Sequence, residues 1–293
     1  MQGKDWLAEQ FEGNRGHLRA VAYRMLGSLN DADDAVQEAW LRLSRSGGEK
    51  IENLGGWLTT VVARVCLDAL RSRQSRREEP LEGSESETAV RTARRTDPEA
   101  EALLADSVGF AMLVVLDRLK PAERVAFVLH DLFDLPFEDI ARIAGRTPEA
   151  TRQLASRARR RVRGVSAVPR PELTEQRALV DAFLAALRAG DAEKLVTLLD
   201  PEFAVHADAV VRPTLPEGIH GPEAWARVAM KTAAGARLAR VALVDGGVGV
   251  VIAPRGKLFR VLRFTFVAGR IAALEVLGDP ERLRQIDLAV LGE

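Results

Sequence analysis

Eight arginines fall between Arg142 and Arg163, against the single acid Glu149, in a 293-residue chain whose Lys plus Arg and Asp plus Glu both number 42. Charge gathered this densely in a neutral chain is a means of meeting a polyanion. Arginine bridges guanine edges in the major groove, glutamine pairs with adenine, and further arginines hold phosphates and release counterions. On a helical wheel Ala150, Leu154, Ala158 and Val162 recur every four residues and are expected to face the core. That leaves Arg152, Gln153, Ser156, Arg159, Arg160 and Arg163 outward. The same charges also suit a solvated helix C-terminus. A second concentration has the opposite sign: Asp31, Asp33, Asp34 and Glu38 lie within eight residues that hold no base. Asp33, Gln37 and Trp40 fall near one helix face, an acidic and aromatic patch for a basic partner, while Asp31 and in part Asp34 also suit a helix start. A third candidate is chemical in the narrower sense. His206 and Asp208 in "EFAVHAD" project to one side of a strand, where an imidazole and a carboxylate, with His220 as a further group, can take a proton next to a carbonyl.

The elements that must position these groups follow from apolar spacing and turn chemistry. Leu18, Val21 and Met25, then Val36, Trp40 and Leu43, then Trp57, Val61 and Val65 with Leu58 and Val62, predict a helical unit over His17 to Arg73. Arg76 to Glu99 is rich in charge, Ser and Thr and poor in large apolar residues, so it reads as a linker. A second helical unit runs from about Ala100 to Val165, with "SVGFAMLVVLDRL", "PAERVAFVLHDLF" and the arginine segment as its helices. Gly145 suits a helix end, and Thr147 before Pro148 suits the next start, which makes a helix-turn-helix. After the proline joint "SAVPRPEL" come two helices, the extended "EFAVHAD" and a third helix near "GPEAWARVAMKTA". Four strand-like runs follow, parted by "DGG", "PRG" and "AG" turns, which indicates an α+β domain with helices on one face of a curved sheet.

Composition bounds the remainder. Cys66 is the single cysteine, so no internal disulfide forms, and its helical apolar setting reads as core. The N-terminus lacks a basic-then-apolar leader and no stretch is long and uncharged enough to span a bilayer, so a soluble, cytoplasmic protein with no membrane partner is expected. No cofactor and no metal site is expected.

"YRMLGSLNDADDAVQEAWLRLSR" followed by "NLGGWLTTVVARVCLDALRSRQSRREE" resembles the second conserved region of bacterial sigma factors of the extracytoplasmic-function (ECF) group. "LKPAERVAFVLHDLFDLPFEDIA" and the arginine segment are similar to their fourth region. Both are in family order, over roughly the first 165 residues. The resemblance implies binding to the RNA polymerase core enzyme through Asp31, Asp33, Asp34, Gln37, Glu38 and Trp40. It also implies recognition and melting of promoter DNA. Around the minus-ten element Arg64, Arg71 and Arg73 are the expected phosphate or base contacts, with Trp57 either a stacking platform or core. On duplex DNA the expected contacts are Arg152, Gln153, Ser156, Arg159 and Arg160.

From about Glu172 the chain resembles the SnoaL-like cone fold, on the pattern "FLAALRAGDAEKLVTLLDPEF". Isomerases of that fold commonly use a tyrosine as oxyanion donor, and the single tyrosine here is Tyr23. A subgroup of these sigma factors carries such a domain as a fused regulator and ends it with an Asn-Pro-Asp-Lys-Leu motif. Asp279, Pro280, Glu281, Arg282 and Leu283 resemble that motif and are expected at an interdomain contact, whereas the subgroup's linker motif is reduced here to "EEPLEG". The expected domains are 1–75 (region 2), 76–99 (linker), 100–165 (region 4 helix-turn-helix) and 172–293 (SnoaL-like α+β, with a small-molecule ligand left open). The expected function is a sigma factor with a built-in regulator, not an enzyme. Two alternatives remain: a polymerase-independent helix-turn-helix regulator with a ligand-sensing domain, and a SnoaL-like isomerase or cyclase fused to a DNA-binding module.

Overall fold

The computed structural model describes residues 2–46, 51–78, 110–164, 166, 168–216, 219–231, 233–254 and 257–291. Most of the expected linker lies outside them. The described residues fall into two compact units, one of 2–78 with 116–161 and one of 110–115 with 162–291.

In the first unit, α1 (Gln2–Leu26), α2 (Leu29–Ser46) and α3 (Leu54–Glu78) pack on one another. Their inward stripes are Leu18, Val21 and Met25, then Val36, Ala39 and Leu43, then Leu58, Val62 and Cys66. Trp40, Trp57 and Val65, expected in these stripes, are only half-buried. The Asn53 side chain accepts from the Gly56 amide at 2.9 Å and caps the start of α3. Helix α3 runs beyond the expected Arg73 boundary, because the charged residues after it are good helix formers.

Helix α4 (Phe110–Asp117) precedes α5 (Pro121–Phe127), which widens into a π-helical turn over Val128–Leu132. The sequence reads as one regular helix there. The wider turn lets the Leu135 amide reach the Leu129 carbonyl at 2.9 Å and sets His130 against Phe137, with ring centroids 3.9 Å apart. Helices α6 (Phe137–Ala144) and α7 (Pro148–Arg163) form the helix-turn-helix. Gly145 closes α6 at φ 66°, a left-handed conformation that a Cβ disfavours. Thr147 Oγ1 accepts from the Ala150 amide at 3.2 Å and opens α7. Both signals act where the sequence places them. Within the first unit, α3 packs against α5 and α6 as well as against α1 and α2.

In the second unit, α8 (Arg170–Ala189), α9 (Ala192–Leu198) and α10 (Pro222–Lys231) cover one face of a six-stranded sheet. The strands are β1 (Leu199–Ala207), β2 (Ala239–Val244), β3 (Gly247–Ile252), β4 (Arg260–Val267), β5 (Arg270–Leu277) and β6 (Leu288–Ala289), in the order β1-β5-β4-β3-β2-β6. Strands β2 to β5 form the expected antiparallel meander, and β1 adds to the edge in parallel with β5. Alternate residues, Val248 and Val250, Leu274 and Val276, meet Phe183, Leu187 and Trp225 in the core, as period-two burial demands. Helix α11 (Pro280–Gln285) follows β5. The last residues of α7 and the chain just beyond it belong to this unit: the Val290 amide donates to the Val162 carbonyl at 2.8 Å. Ser166 Oγ donates to the Gly246 carbonyl at 3.0 Å. Gly164, at φ 59°, sits so close that a Cβ there would lie 2.3 Å from the Ala289 Cβ.

Candidate nucleic-acid interface

The buried face of α7 is Thr151, Ala155 and Ala158 with Val162; Ala150 and Leu154, expected inside, are only half-buried. The wheel is therefore turned by one residue. Thr151 tolerates burial because its hydroxyl donates to the Thr147 carbonyl at 2.9 Å. The rotation leaves Gln153, Ser156 and Arg160 as an exposed stripe, and no ion pair to Arg160 occurs among the described residues. Two flanking arginines are braced. Arg152 pairs with Glu138 at 2.8 Å and lies over the Phe137 ring, 5.5 Å from its centroid. Arg159 pairs with Asp131 of the π-helical turn at 2.5 Å.

The remaining α7 arginines have another role. Arg161 and Arg157 reach the Glu123 carboxylate, at 2.9 and 3.7 Å, and that carboxylate is almost wholly buried. Its neighbour Arg124 has a side chain only 2 % exposed. Burial pushes its pKa down to about 10, with Asp117 opposing. Sequence reasoning missed Glu123 and Arg124; the signal was there, since two adjacent charges inside the apolar run "PAERVAFVL" require partners when that run is buried.

On α3, Arg64 donates to the Arg142 carbonyl at 3.4 Å, Arg71 lies 3.8 Å from Asp68, and Arg73 is held between the Asp31 carboxylate (2.7 Å) and the Leu26 carbonyl (3.1 Å). Asp31 and Arg73, assigned to different partners by sequence, thus pair with each other. Trp57 is half-buried.

On α2, Asp33 pairs with Arg19 of α1 at 2.7 Å and Glu38 with Arg42 at 2.8 Å, while Asp34 and Gln37 are exposed. Trp40 meets Phe11 with centroids 5.1 Å apart. Both rings line a groove of about 240 Å³ completed by Ala8, Glu12, Arg15, Val36 and Gln37. The groove thus carries charge of both signs over an aromatic floor.

In the second unit, Asp208 is buried just beyond the end of β1, whereas His206 is exposed on that strand and His220 is exposed too. Asp208 Oδ1 accepts from the amides of Val210 (3.1 Å) and Val211 (2.9 Å), and Oδ2 from those of Gly278 (2.6 Å) and Asp279 (2.7 Å). Burial alone would push its pKa up, but the four amides outweigh it and hold the carboxyl below the usual range. A carboxylate so satisfied is a clamp between chain segments and a poor proton acceptor. Asp279 caps α11 by accepting from the amides of Glu281 and Arg282, both at 2.9 Å. Leu283 is buried, Arg282 pairs with Glu275 at 2.9 Å, and Pro280 and Glu281 are exposed. No group of three or more His, Cys, Asp or Glu able to hold a metal ion occurs among the described residues, and none of their helices is long and apolar enough to cross a membrane.

Residues 10–76 match the family model for Sigma-70 region 2, and residues 110–162 the model for Sigma-70, region 4. The chain is 37% identical over 292 residues to the ECF RNA polymerase sigma factor SigJ of Mycobacterium tuberculosis, covering 93% of this chain and 92% of that one. It is also 37% identical over 209 residues to the probable ECF RNA polymerase sigma factor SigI of the same species, covering 71% and 72%. Among solved structures, that of Mycobacterium tuberculosis SigJ aligns over 94% of this chain and 98% of its own, at 32% identity and a TM-score of 0.47.

Proposed function

The chain belongs to the extracytoplasmic-function group of RNA polymerase sigma factors, and on that premise we propose that it binds the polymerase core in the cytoplasm, directs it to one promoter class and melts the DNA there. The observation that carries this division of labour is the exposed Gln153, Ser156 and Arg160 stripe of α7, set apart from the Trp40 groove of α2 on the same chain. Gln153 and Ser156 read base edges; Arg152 and Arg159, aimed by Glu138 and Asp131, hold phosphates or guanine, as does Arg160, which has no ion pair among the described residues. Arg64, Arg71, Arg73 and Trp57 serve the melted strand. The polymerase face is Asp33, Asp34, Gln37, Glu38 and Trp40, with Asp31 positioning Arg73.

The second unit acts as a regulator and not as an enzyme, a reading supported by the internal satisfaction of Asp208. Exposed Pro280, Glu281 and Arg282 form its regulatory face, while Asp279 and Leu283 hold that face in shape.

The test is capture of core polymerase by the full chain, followed by run-off transcription on genomic fragments. Gln37→Ala with Trp40→Ala should abolish capture and spare DNA binding. Gln153→Ala should relax promoter choice, and Arg160→Ala should weaken all promoters alike and lower the salt slope by about one. No capture of core at low salt rejects the proposal. Run-off activity left unchanged by deletion of 278–293 rejects the regulatory role.

A further inference from the structure

Helix α7 carries two braced arginines, and the braces take hold at different atoms. Asp131 Oδ1 accepts from Nε of Arg159 at 2.5 Å, and the side chains of the pair are 22 % and 33 % exposed. Neither terminal nitrogen of Arg159 has a partner among the described residues. Glu138 Oε1 accepts instead from Nη2 of Arg152, at 2.8 Å, so one terminal nitrogen of that guanidinium is already shared with the protein. The two terminal nitrogens of an arginine are a parallel pair of donors that matches O6 and N7 of guanine. Arg159 keeps that pair whole, and Arg152 does not.

The brace on Arg159 is itself built. Asp131 comes from the π-helical turn, a departure from regular helix of the kind that recurs at functional sites. The Leu135 amide on the Leu129 carbonyl (2.9 Å) and the Asp134 amide on the His130 carbonyl (3.1 Å) tie the turn down, and His130 Nδ1 lies 3.0 Å from the Leu135 carbonyl. Asp134 follows at φ 53°, in the left-handed region that aspartate enters more readily than most residues. A carboxylate held at this point does two things to Arg159. It removes rotamer freedom before DNA arrives, a cost that binding otherwise bears. It also cancels the arginine's charge, and a neutral pair releases few counterions from a phosphate, which leaves the directional contact with a base edge.

We propose that Arg159 reads one guanine of the promoter and that Asp131, presented by the π-helical turn, is the positioning residue that sets this specificity. The proposal rests on the assignment of α7 to duplex DNA. A two-donor contact of this kind discriminates its base by about ten- to a hundredfold. Releasing the brace forfeits about tenfold of that. The freed guanidinium then turns to the backbone, so binding to unrelated sequence strengthens and the salt slope steepens by up to about one. A residue that merely held the fold together would weaken both kinds of binding at once.

The experiment uses the full chain bound to core polymerase, selecting from a library of randomised duplexes, with salt titrations on the selected duplex and on unrelated sequence. The parent should select a guanine at one position that Arg159→Ala relaxes at unchanged salt slope. Placing 7-deazaguanine there, which lacks the N7 acceptor, should weaken the parent about tenfold and Arg159→Ala not at all. Asp131→Asn should relax the same position, steepen the slope, and add nothing in the Arg159→Ala background. An Arg159→Ala variant that relaxes no guanine, or that lowers the slope by about one, overturns the base contact. An Asp131→Asn variant that keeps the parent's selectivity, or that weakens selected and unrelated duplex equally, overturns the positioning role. Should Asp131→Asn fail to fold, Asp131→Ser is judged by the same outcomes. A parent that selects no sequence at all overturns the reading of α7 as a promoter reader, and this assignment with it, whereas selection that only Gln153→Ala relaxes overturns Arg159 alone.

Discussion

Asp208→Asn isolates the work of one carboxylate. Its two oxygens accept four backbone amides, two from the chain just after β1 and two from the Gly278–Asp279 segment. Asparagine keeps one oxygen and turns an NH₂ group toward two amide donors, so two charge-assisted hydrogen bonds are lost. At about 1.5–3 kcal/mol each the loss is about 3 kcal/mol at its lower limit, or roughly 10 °C in Tm for a unit of this size. The sign with pH follows from the lowered pKa. A carboxyl whose folded pKa is depressed contributes stability that is fully present above the unfolded value of about 3.9 and is lost as pH falls through the folded value. The gap between parent and variant should therefore be widest at neutral pH and close below about pH 4. Calorimetry on both full chains, with hydrogen exchange over 203–216 and 274–282, measures it. A variant melting within 1 °C of the parent at pH 7, or a gap that widens in acid, refutes the clamp.

Other expectations are briefer. Cys66 is fully buried and burial pushes its thiol up to about 12, so a disulfide reagent at pH 8 should label it only after unfolding; rapid native labelling would contradict its placement. Gly164→Ala forces a Cβ onto Ala289 at positive φ and should cost about 1–3 kcal/mol, partly recovered by Ala289→Gly, with protease sensitivity at 162–170 as readout. Glu123→Gln leaves Arg161 and Arg157 facing a neutral group and should destabilise the first unit by about 1–3 kcal/mol in urea titration, whereas Glu149→Gln should be neutral within about 0.5 kcal/mol.

What could be read from sequence was local. Gly145, Thr147 and Pro148 act within one turn of chain, and the meander turns likewise, so their chemistry is visible without a fold. The α7 wheel missed by one residue because Ala150, Ala155 and Ala158 are interchangeable by hydropathy, and a buried Thr151 is legible only once its bond to Thr147 is known. Asp31 and Arg73 looked like surface groups for separate partners because nothing in a linear pattern brings residues 42 positions apart within 2.7 Å. The amides that occupy Asp208 were hidden for the same reason: two of its donors lie about 70 residues downstream. The parallel placement of β1 left no local trace at all.

That edge strand sets an order of assembly. Hairpins β2–β3 and β4–β5 close over two-residue turns, but β1 must wait for a partner some 70 positions along the chain, at a larger loop-closure entropy. Refolding should nucleate in the hairpins and recruit β1 late, so that trimming Val250 slows refolding while trimming Phe203 chiefly hastens unfolding. Equal slowing by both would put the edge strand in the nucleus.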